Sequence, residues 1–107
     1  MPASKVSVIG GGSFGTVLAD IAAQNGNDVM FWMRSAQVVD DVNRQHENPQ
    51  YLPGYELNAK VVASADMEAA VAGSDIIFVA VPSSSFRQVV QSVAAHAPEP
   101  AMLVSTT

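Results

Sequence analysis

The sequence predicts an α/β fold in which a doubly wound parallel sheet of about five strands carries helices on both faces. Short apolar runs alternate with segments of helical period along the 107 residues, in the order βαβαβαβαβ. A glycine-rich turn follows the first apolar run. A later run, residues 75–82, is rich in branched apolar residues without alternation, which is typical of a parallel strand covered on both faces. In such folds ligands bind at the carboxyl ends of the strands.

Length and composition limit the chain to one domain, residues 1–107, with a single core. Hydrophobic residues make up 49% of the chain, yet no apolar run is long enough to span a membrane. The N-terminal residues carry no secretory signal, and the absence of cysteine excludes disulfides, thiolate metal sites and a cysteine nucleophile. A cytoplasmic location is therefore predicted. The net charge of −5 is unlike that of a nucleic-acid-binding surface, so no nucleic-acid partner is expected.

The first strand, residues 6–9, leads into the pattern G-x-G-x-x-G at Gly10, Gly12 and Gly15. In dinucleotide-binding turns of this kind the first glycine permits the tight turn, the second lets the backbone approach a pyrophosphate, and the third lets the next helix pack closely on the strand. Free N–H groups at the helix start then bind the phosphates. The pattern alone is equally typical of a flexible turn, so its flanking elements decide its meaning.

The flanking elements favour dinucleotide binding. The first helix is predicted from an apolar stripe at i, i+3, i+4, i+7 and i+8, formed by Phe14, Val17, Leu18, Ile21 and Ala22. Gly26 suits the left-handed position that closes a helix, and residues 28–32 resume as an apolar strand. Strand, helix and strand span about 30 residues, the length of a right-handed parallel crossover. This is the Rossmann-type pattern, and it disfavours the alternative of a surface turn beside an unrelated helix.

The next elements are a helix, a long loop and a strand. Residues 36–45 form a short helical stripe with Ser35 as the N-cap. Residues 46–57 contain two prolines and no sustained period, which predicts a structured loop. Residues 60–63 are the third strand.

The second half of the chain repeats the alternation. Ser64 is the predicted cap of a helix over residues 65–72, which Gly73 ends. Residues 75–82 are expected in the middle of the sheet, and residues 101–105 form the fifth strand. Between them lies a helix capped by the three serines at 83–85, with an apolar face formed by Phe86, Val89, Val90, Val93 and Ala94.

The second strand ends in Met33-Arg34-Ser35, which favours NADP over NAD. Folds that prefer NAD place Asp or Glu there to bind the ribose 2′-hydroxyl, whereas a guanidinium pairs with a 2′-phosphate. Arg34 is therefore a predicted cofactor contact, although a solvated loop arginine is the commoner situation.

Four further residues are predicted at the cofactor site. Ser13 and Phe14 occupy the variable positions of the glycine turn, Pro82 lies at the opposite lip of the cleft, and Phe86 is a candidate wall of the site. Both phenylalanines also fit core positions of their helices. No general acid, base, nucleophile or metal site is predicted, and His46 and His96 are expected on the surface.

Several segments together resemble the N-terminal coenzyme domain of bacterial NAD(P)-dependent glycerol-3-phosphate dehydrogenases. The resemblance rests on VIGGGSFGTVLA at 8–19, WMR at 32–34, HEN at 46–48, YLPG at 51–54 and VAVPS at 79–83. It covers nearly the whole chain. The YLPG segment is the most discriminating part, while Leu57-Asn58 departs from the usual Leu-Pro.

The resemblance implies interconversion of dihydroxyacetone phosphate and sn-glycerol 3-phosphate with NAD(P)H, feeding phospholipid synthesis. By position it implies cofactor contacts from Ser13, Phe14 and Arg34. It also implies that the catalytic and substrate residues lie beyond Thr107: a Lys-Gly pair directly after this strand end, and a later lysine, the proton donor, in a helical C-terminal domain. The chain alone is then expected to bind nucleotide without turnover.

Two alternatives stay open. The chain could be a complete nucleotide-binding regulatory module, or the coenzyme domain of a related reductase acting on ketopantoate or 3-hydroxy acids; residues 51–54 speak against the second. If a further domain normally covers an apolar surface of this chain, that surface also allows copies of the chain to associate as a homo-oligomer. The sequence does not set the number of copies.

Overall fold

The computed structural model describes residues 4–97 and 102–105, in which strands and helices alternate as predicted. The strands are β1 (Lys5–Ile9), β2 (Asp28–Trp32), β3 (Val61–Ser64), β4 (Ile76–Val79) and β5 (Met102–Ser105). The helices are α1 (Ser13–Gln24), α2 (Ala36–Gln45), α3 (Met67–Val71) and α4 (Ser83–His96). Within these residues, no helix is both long and apolar enough to cross a membrane.

All five described strands are parallel, in the order β3-β2-β1-β4-β5. This confirms the Rossmann-type doubly wound sheet. The chain reverses its direction of winding between β1 and β4, so the loops after these two strands diverge and leave a crevice at their carboxyl ends.

The centre of the sheet is β1, not β4 as the sequence suggested. Any interior parallel strand gives an apolar run. The run of residues 75–82 therefore marks β4 as an interior strand but does not fix its position in the strand order. Ile76 and Phe78 are only half-buried. The neighbouring strand β5 exposes Met102 and Leu103.

The buried face of α1 differs from the predicted apolar stripe. Gly15, Ala19 and Ala23 are buried against the sheet, whereas Phe14 and Ile21 are 60% and 48% exposed. Because the helix starts directly at the glycine turn, it lies too close to β1 for large side chains on its inner face. Small residues at intervals of four provide that close contact.

The starts of two helices also differ from the sequence prediction. Ser64 continues β3 opposite Trp32, so α3 starts later, at Met67, with Asp66 as its N-cap. The serines at 83–85 belong to α4 itself, which has Pro82 at its N-cap and no side-chain cap. The predicted start of the fifth strand at residue 101 lies outside the described residues.

The loop between α2 and β3 is held against α1 by a buried carboxylate. Asp20 accepts hydrogen bonds from the Tyr55 hydroxyl and from the Asn58 backbone N–H, both at 2.7 Å. Gln24 donates a third, also at 2.7 Å. The bond to Asp20 raises the pKa of the Tyr55 hydroxyl, and desolvation and the carboxylate's charge raise it further.

Candidate functional site

A cleft of about 300 Å³ opens where β1, β2 and β4 end. It lies at the point where the strand order reverses, which is where ligands bind in doubly wound sheets. Its walls come from the glycine turn, the end of β2, the loop before α4 and the loop after α2. The lining residues are Gly10, Gly11, Gly12, Trp32, Met33, Arg34, Ser35, Val38, Gln50, Tyr51, Ala80, Val81, Pro82 and Ser85.

Two glycines of the turn are required by the fold itself. Gly10 has φ of 126°, and a Cβ there would overlap the Ala80 carbonyl group, 2.7 Å from its carbon. A Cβ on Gly15 would overlap the Gly10 carbonyl oxygen. The tight turn and the close helix packing predicted for these positions are therefore present, and each has an identified steric cause.

Gly12 has no such structural reason to be glycine. Its φ is −73° and its ψ is −178°, which any residue adopts, and no atom lies within 4 Å of an added Cβ. The space beside this residue is part of the cleft. A position that the fold leaves open, at the start of a helix, fits a ligand that approaches the backbone closely.

The helix ends at the cleft are open to an anion. No side chain caps α1 or α4, whereas Ser35 caps α2 and Asp66 caps α3. The first turns of α1 and α4 contain no acidic residue. Helix N-termini carry unpaired N–H groups and partial positive charge, so two of them beside one cleft favour a bound anion.

The charge of the residues that line the cleft also favours a bound anion. Among the lining residues the only charged side chain is Arg34, although the whole chain has 10 acidic and 5 basic residues. Arg34 is exposed, and within the described part of the chain it forms no ion pair. It directly precedes Ser35, the N-cap of α2, so its guanidinium is available to an anion at that rim of the cleft.

The structure brings together only part of the predicted site. Gly10, Gly12, Arg34 and Pro82 line the cleft. Phe86 does not; it is half-buried and packs against the core beneath α4, which is the alternative that its helical position allowed. Its role as a cofactor wall is not supported.

The remaining predicted contacts surround the turn. Gly15 is buried behind it, while Ser13 and Phe14 are exposed at the start of α1 and are not among the lining residues. The expectation that Phe14 belongs to the apolar inner face of the helix is wrong. Any contact with a nucleotide by Ser13 or Phe14 stays a prediction.

Sequence reasoning missed residues that shape the same cleft. A Cβ on Gly11 would lie 2.8 Å from the Met33 Cβ, so this glycine between Gly10 and Gly12 is also sterically required. Tyr51, half exposed, lines the cleft from the long loop. The fully buried Asn48 lies behind the turn and bonds to it. Asn48 and Tyr51 belong to the HEN and YLPG segments, and those family motifs are the sequence signal that marks them.

The described residues contain no group of three or more His, Asp or Glu that could hold a metal ion. His46, expected at the surface, is half-buried with φ of 55° at the end of α2. The described residues that line the cleft include no carboxylate and no histidine.

Comparison with known proteins gives one family. The model of the family described as "NAD-dependent glycerol-3-phosphate dehydrogenase N-terminus" matches residues 5–107. A glycerol-3-phosphate dehydrogenase [NAD(P)+] of Teredinibacter turnerae is 47% identical over 103 residues, covering 96% of this chain and 30% of the relative. One from Acinetobacter baumannii is 46% identical over 94 residues, 88% of this chain and 26% of that protein. The chain thus spans about 30% of the length of these relatives.

Solved structures agree. A glycerol-3-phosphate dehydrogenase from Coxiella burnetii superposes with a TM-score of 0.89 at 27% identity, covering 96% of this chain and 32% of that one. A glycerol-3-phosphate dehydrogenase from Plasmodium falciparum superposes with a TM-score of 0.88 at 26% identity, covering 96% of this chain and 32% of that one. A ketopantoate reductase from Ralstonia eutropha, at 22% identity and a TM-score of 0.73, shares the fold alone.

Proposed function

The chain belongs to the family of NAD-dependent glycerol-3-phosphate dehydrogenase N-termini, and from this premise we propose that residues 1–107 form the dinucleotide-binding domain of such an enzyme. Curated relatives carry the name glycerol-3-phosphate dehydrogenase [NAD(P)+], so the family uses NAD or NADP. The single observation that carries the proposal is Gly12: a glycine that the fold does not require, at an uncapped helix N-terminus, beside open space.

The residues present fit a dinucleotide. The pyrophosphate would bind at the Gly10–Gly12 turn. The backbone N–H groups of Gly12 and Ser13 there have no carbonyl acceptor within α1, because they lie at its start. The half-exposed Tyr51 ring and the apolar Val81 offer surfaces to the less polar parts of the ligand. When bound, a reduced nicotinamide supplies a hydride; the residues of this chain hold and orient the molecule.

NADP is the proposed preference, because Arg34 stands where an acidic residue would contact the 2′-hydroxyl of NAD. The exposure of Arg34 at the cleft rim supports this proposal, because a guanidinium there would pair with a 2′-phosphate. In this chain of net charge −5, a local cation offsets the repulsion that a phosphorylated ligand meets.

We propose for the whole enzyme the reversible reduction of dihydroxyacetone phosphate to sn-glycerol 3-phosphate. The residues that bind this substrate and donate the proton are proposed to lie in the segment that the relatives have beyond the matched region. The 107 residues alone should then bind nucleotide without turnover. A role in phospholipid synthesis, a cytoplasmic location and self-association stay predictions.

Nucleotide binding is tested by isothermal titration calorimetry with ADP-ribose, which keeps the pyrophosphate, and with adenosine, which lacks it. Saturable binding of ADP-ribose that is at least about tenfold tighter than that of adenosine is expected, since the phosphates provide the charge-assisted contacts. Equal affinities, or no binding of ADP-ribose, would contradict the proposal.

The substrate is tested with a chimera in which this chain replaces the matched region of the Teredinibacter turnerae relative. The expected result is NADPH oxidation that depends on dihydroxyacetone phosphate and not on ketopantoate, with none by the 107 residues alone. Oxidation driven by ketopantoate, or an inactive folded chimera beside an active relative, would contradict the assignment.

A further inference from the structure

We propose that Asn48 is a positioning residue for the phosphate-binding turn: its side-chain amide fixes the Gly11–Gly12 peptide so that the Gly12 N–H faces the cleft. This inference rests on the proposed function, because it explains how the turn presents its N–H group to a phosphate. The motif glycines allow the turn to form, but they do not by themselves determine which way this peptide points.

The contacts are specific. Asn48 is fully buried, and its Nδ2 donates to the Gly11 carbonyl oxygen at 2.9 Å and to the Thr16 Oγ1 at 2.8 Å. Thr16 Oγ1 in turn donates to the Gly12 carbonyl oxygen at 2.7 Å. Both N–H bonds of the Asn48 amide are thus used on the turn and on the first turn of α1.

Asn48 is itself held in place by its own loop. Its carbonyl oxygen accepts a hydrogen bond from the Leu52 N–H at 2.8 Å, and its Oδ1 accepts one from the Tyr51 N–H at 3.4 Å. The Asp20 carboxylate fixes the later part of the same loop through Tyr55 and Asn58. The amide therefore acts from a rigid support.

Because the peptide is planar, the bond to the Gly11 carbonyl also sets the direction of the Gly12 N–H. A trans peptide is planar, with its C=O and N–H on opposite sides, so holding the Gly11 oxygen against the buried Asn48 directs the Gly12 N–H away from the interior. Gly12 lines the cleft on that outer side. Without the anchor, a peptide between two glycines has wide rotational freedom and can turn its carbonyl oxygen toward the ligand, where it would repel a phosphate.

The test compares Asn48→Ala with Asn43→Ala by calorimetric titration of ADP-ribose and by urea denaturation. Asn43 is the matched control, because its Nδ2 also donates to a backbone carbonyl, that of Ala63 at 2.9 Å, and it does not line the cleft. Asn48→Ala should weaken ADP-ribose binding about tenfold, the loss of one N–H contact to a charged oxygen, while Asn43→Ala binds like wild type.

A merely structural role gives a different result: both variants would lose stability, and folded Asn48→Ala would keep the wild-type affinity, which would overturn the inference. If Asn48→Ala does not fold, Asn48→Leu takes its place, because it fills the buried site while removing both N–H bonds, to the Gly11 carbonyl and to Thr16. Its affinity should fall severalfold, and unchanged affinity would overturn the inference.

Failure of the proposed function is distinguishable, since it would appear as no ADP-ribose binding by the wild-type chain. Crystal structures of the ligand-free wild type and Asn48→Ala then decide the inference. A Gly11 carbonyl that turns toward the cleft in the variant supports it, and an unchanged carbonyl overturns it.

Discussion

Replacing Gly12 by valine should separate nucleotide binding from folding. The residue has φ of −73°, and no atom lies within 4 Å of an added Cβ, so the folded chain has room for the new side chain. Losing glycine at an N-cap costs about 0.5–1 kcal/mol, and the stiffer unfolded chain returns about 0.4–1 kcal/mol. The free energy of unfolding should therefore stay within about 1 kcal/mol of wild type.

Binding should respond much more strongly. The valine side chain would occupy the open space beside the α1 N-terminus and keep a pyrophosphate from the backbone N–H groups. A lost hydrogen bond to a charged group is worth about 1.5–3 kcal/mol, which corresponds to about a tenfold to hundredfold rise in Kd.

Gly15→Ala is the contrasting variant, because its Cβ would overlap the Gly10 carbonyl oxygen. Forcing an atom into a packed backbone contact costs about 1–3 kcal/mol or more, so this variant should lose stability. Urea denaturation gives the stabilities and calorimetry with ADP-ribose gives the Kd of each folded protein. Wild-type affinity in Gly12→Val would refute the location of the pyrophosphate, and a stability loss equal to that of Gly15→Ala would refute the open geometry.

Three further variants probe the rim and the supporting loop. Arg34→Ala should narrow the preference for NADPH over NADH by about 1–2 kcal/mol in calorimetric titrations; equal affinities in wild type would contradict the assignment. Asp20→Ala should lower the free energy of unfolding in urea by about 3 kcal/mol, since three hydrogen bonds to a buried charged acceptor are lost; a loss below about 1 kcal/mol would contradict this. The raised pKa of Tyr55 means that the folded state holds this proton more tightly, so stability is lost as pH rises from about 10 through the folded pKa. In urea denaturation, the free energy of unfolding of Tyr55→Phe should fall less over that pH range than that of wild type. Identical pH profiles of the two proteins would show that the Tyr55 hydroxyl is not the cause.

Local backbone chemistry made much of the fold predictable. Helix α2 starts at Ala36 as predicted, with the Ser35 Oγ accepting from the Val38 N–H at 3.3 Å, and Gly26 has the expected positive φ of 89°. Such signals act within a few residues. The same locality explains the misplaced start of α3, where both Ser64 and Asp66 are good caps and only the pairing of β3 with β2 decides between them.

The face of α1 could not be found from hydrophobicity. A predicted apolar stripe favours large apolar side chains for the buried face. The close approach of the helix to β1 instead requires small ones, at Gly15, Ala19 and Ala23. The polar residues Thr16 and Asp20 are buried between them. Each of the two also bonds to the loop after α2, a contact that no periodicity within the helix reveals.

The same division holds for the candidate site. The glycine pattern and Arg34 are local signals, and both lie at the cleft. Asn48 bonds to Gly11 and Thr16 across 37 and 32 residues of sequence, so its place behind the turn follows only from the tertiary fold. Phe86 fits a helix face in either role, and only its packing against the core beneath α4 assigns it.

The central claim, that the Gly10–Gly12 turn and the α1 N-terminus hold a pyrophosphate, is tested most directly by amide NMR of the ¹⁵N-labelled chain during titration with NADPH. The account predicts that the largest shifts occur at the N–H groups of Gly11, Gly12 and Ser13 and saturate with a single Kd. Saturation with these amides unmoved, or with the largest shifts at the opposite edge of the sheet around Lys5 and Gly26, would contradict it.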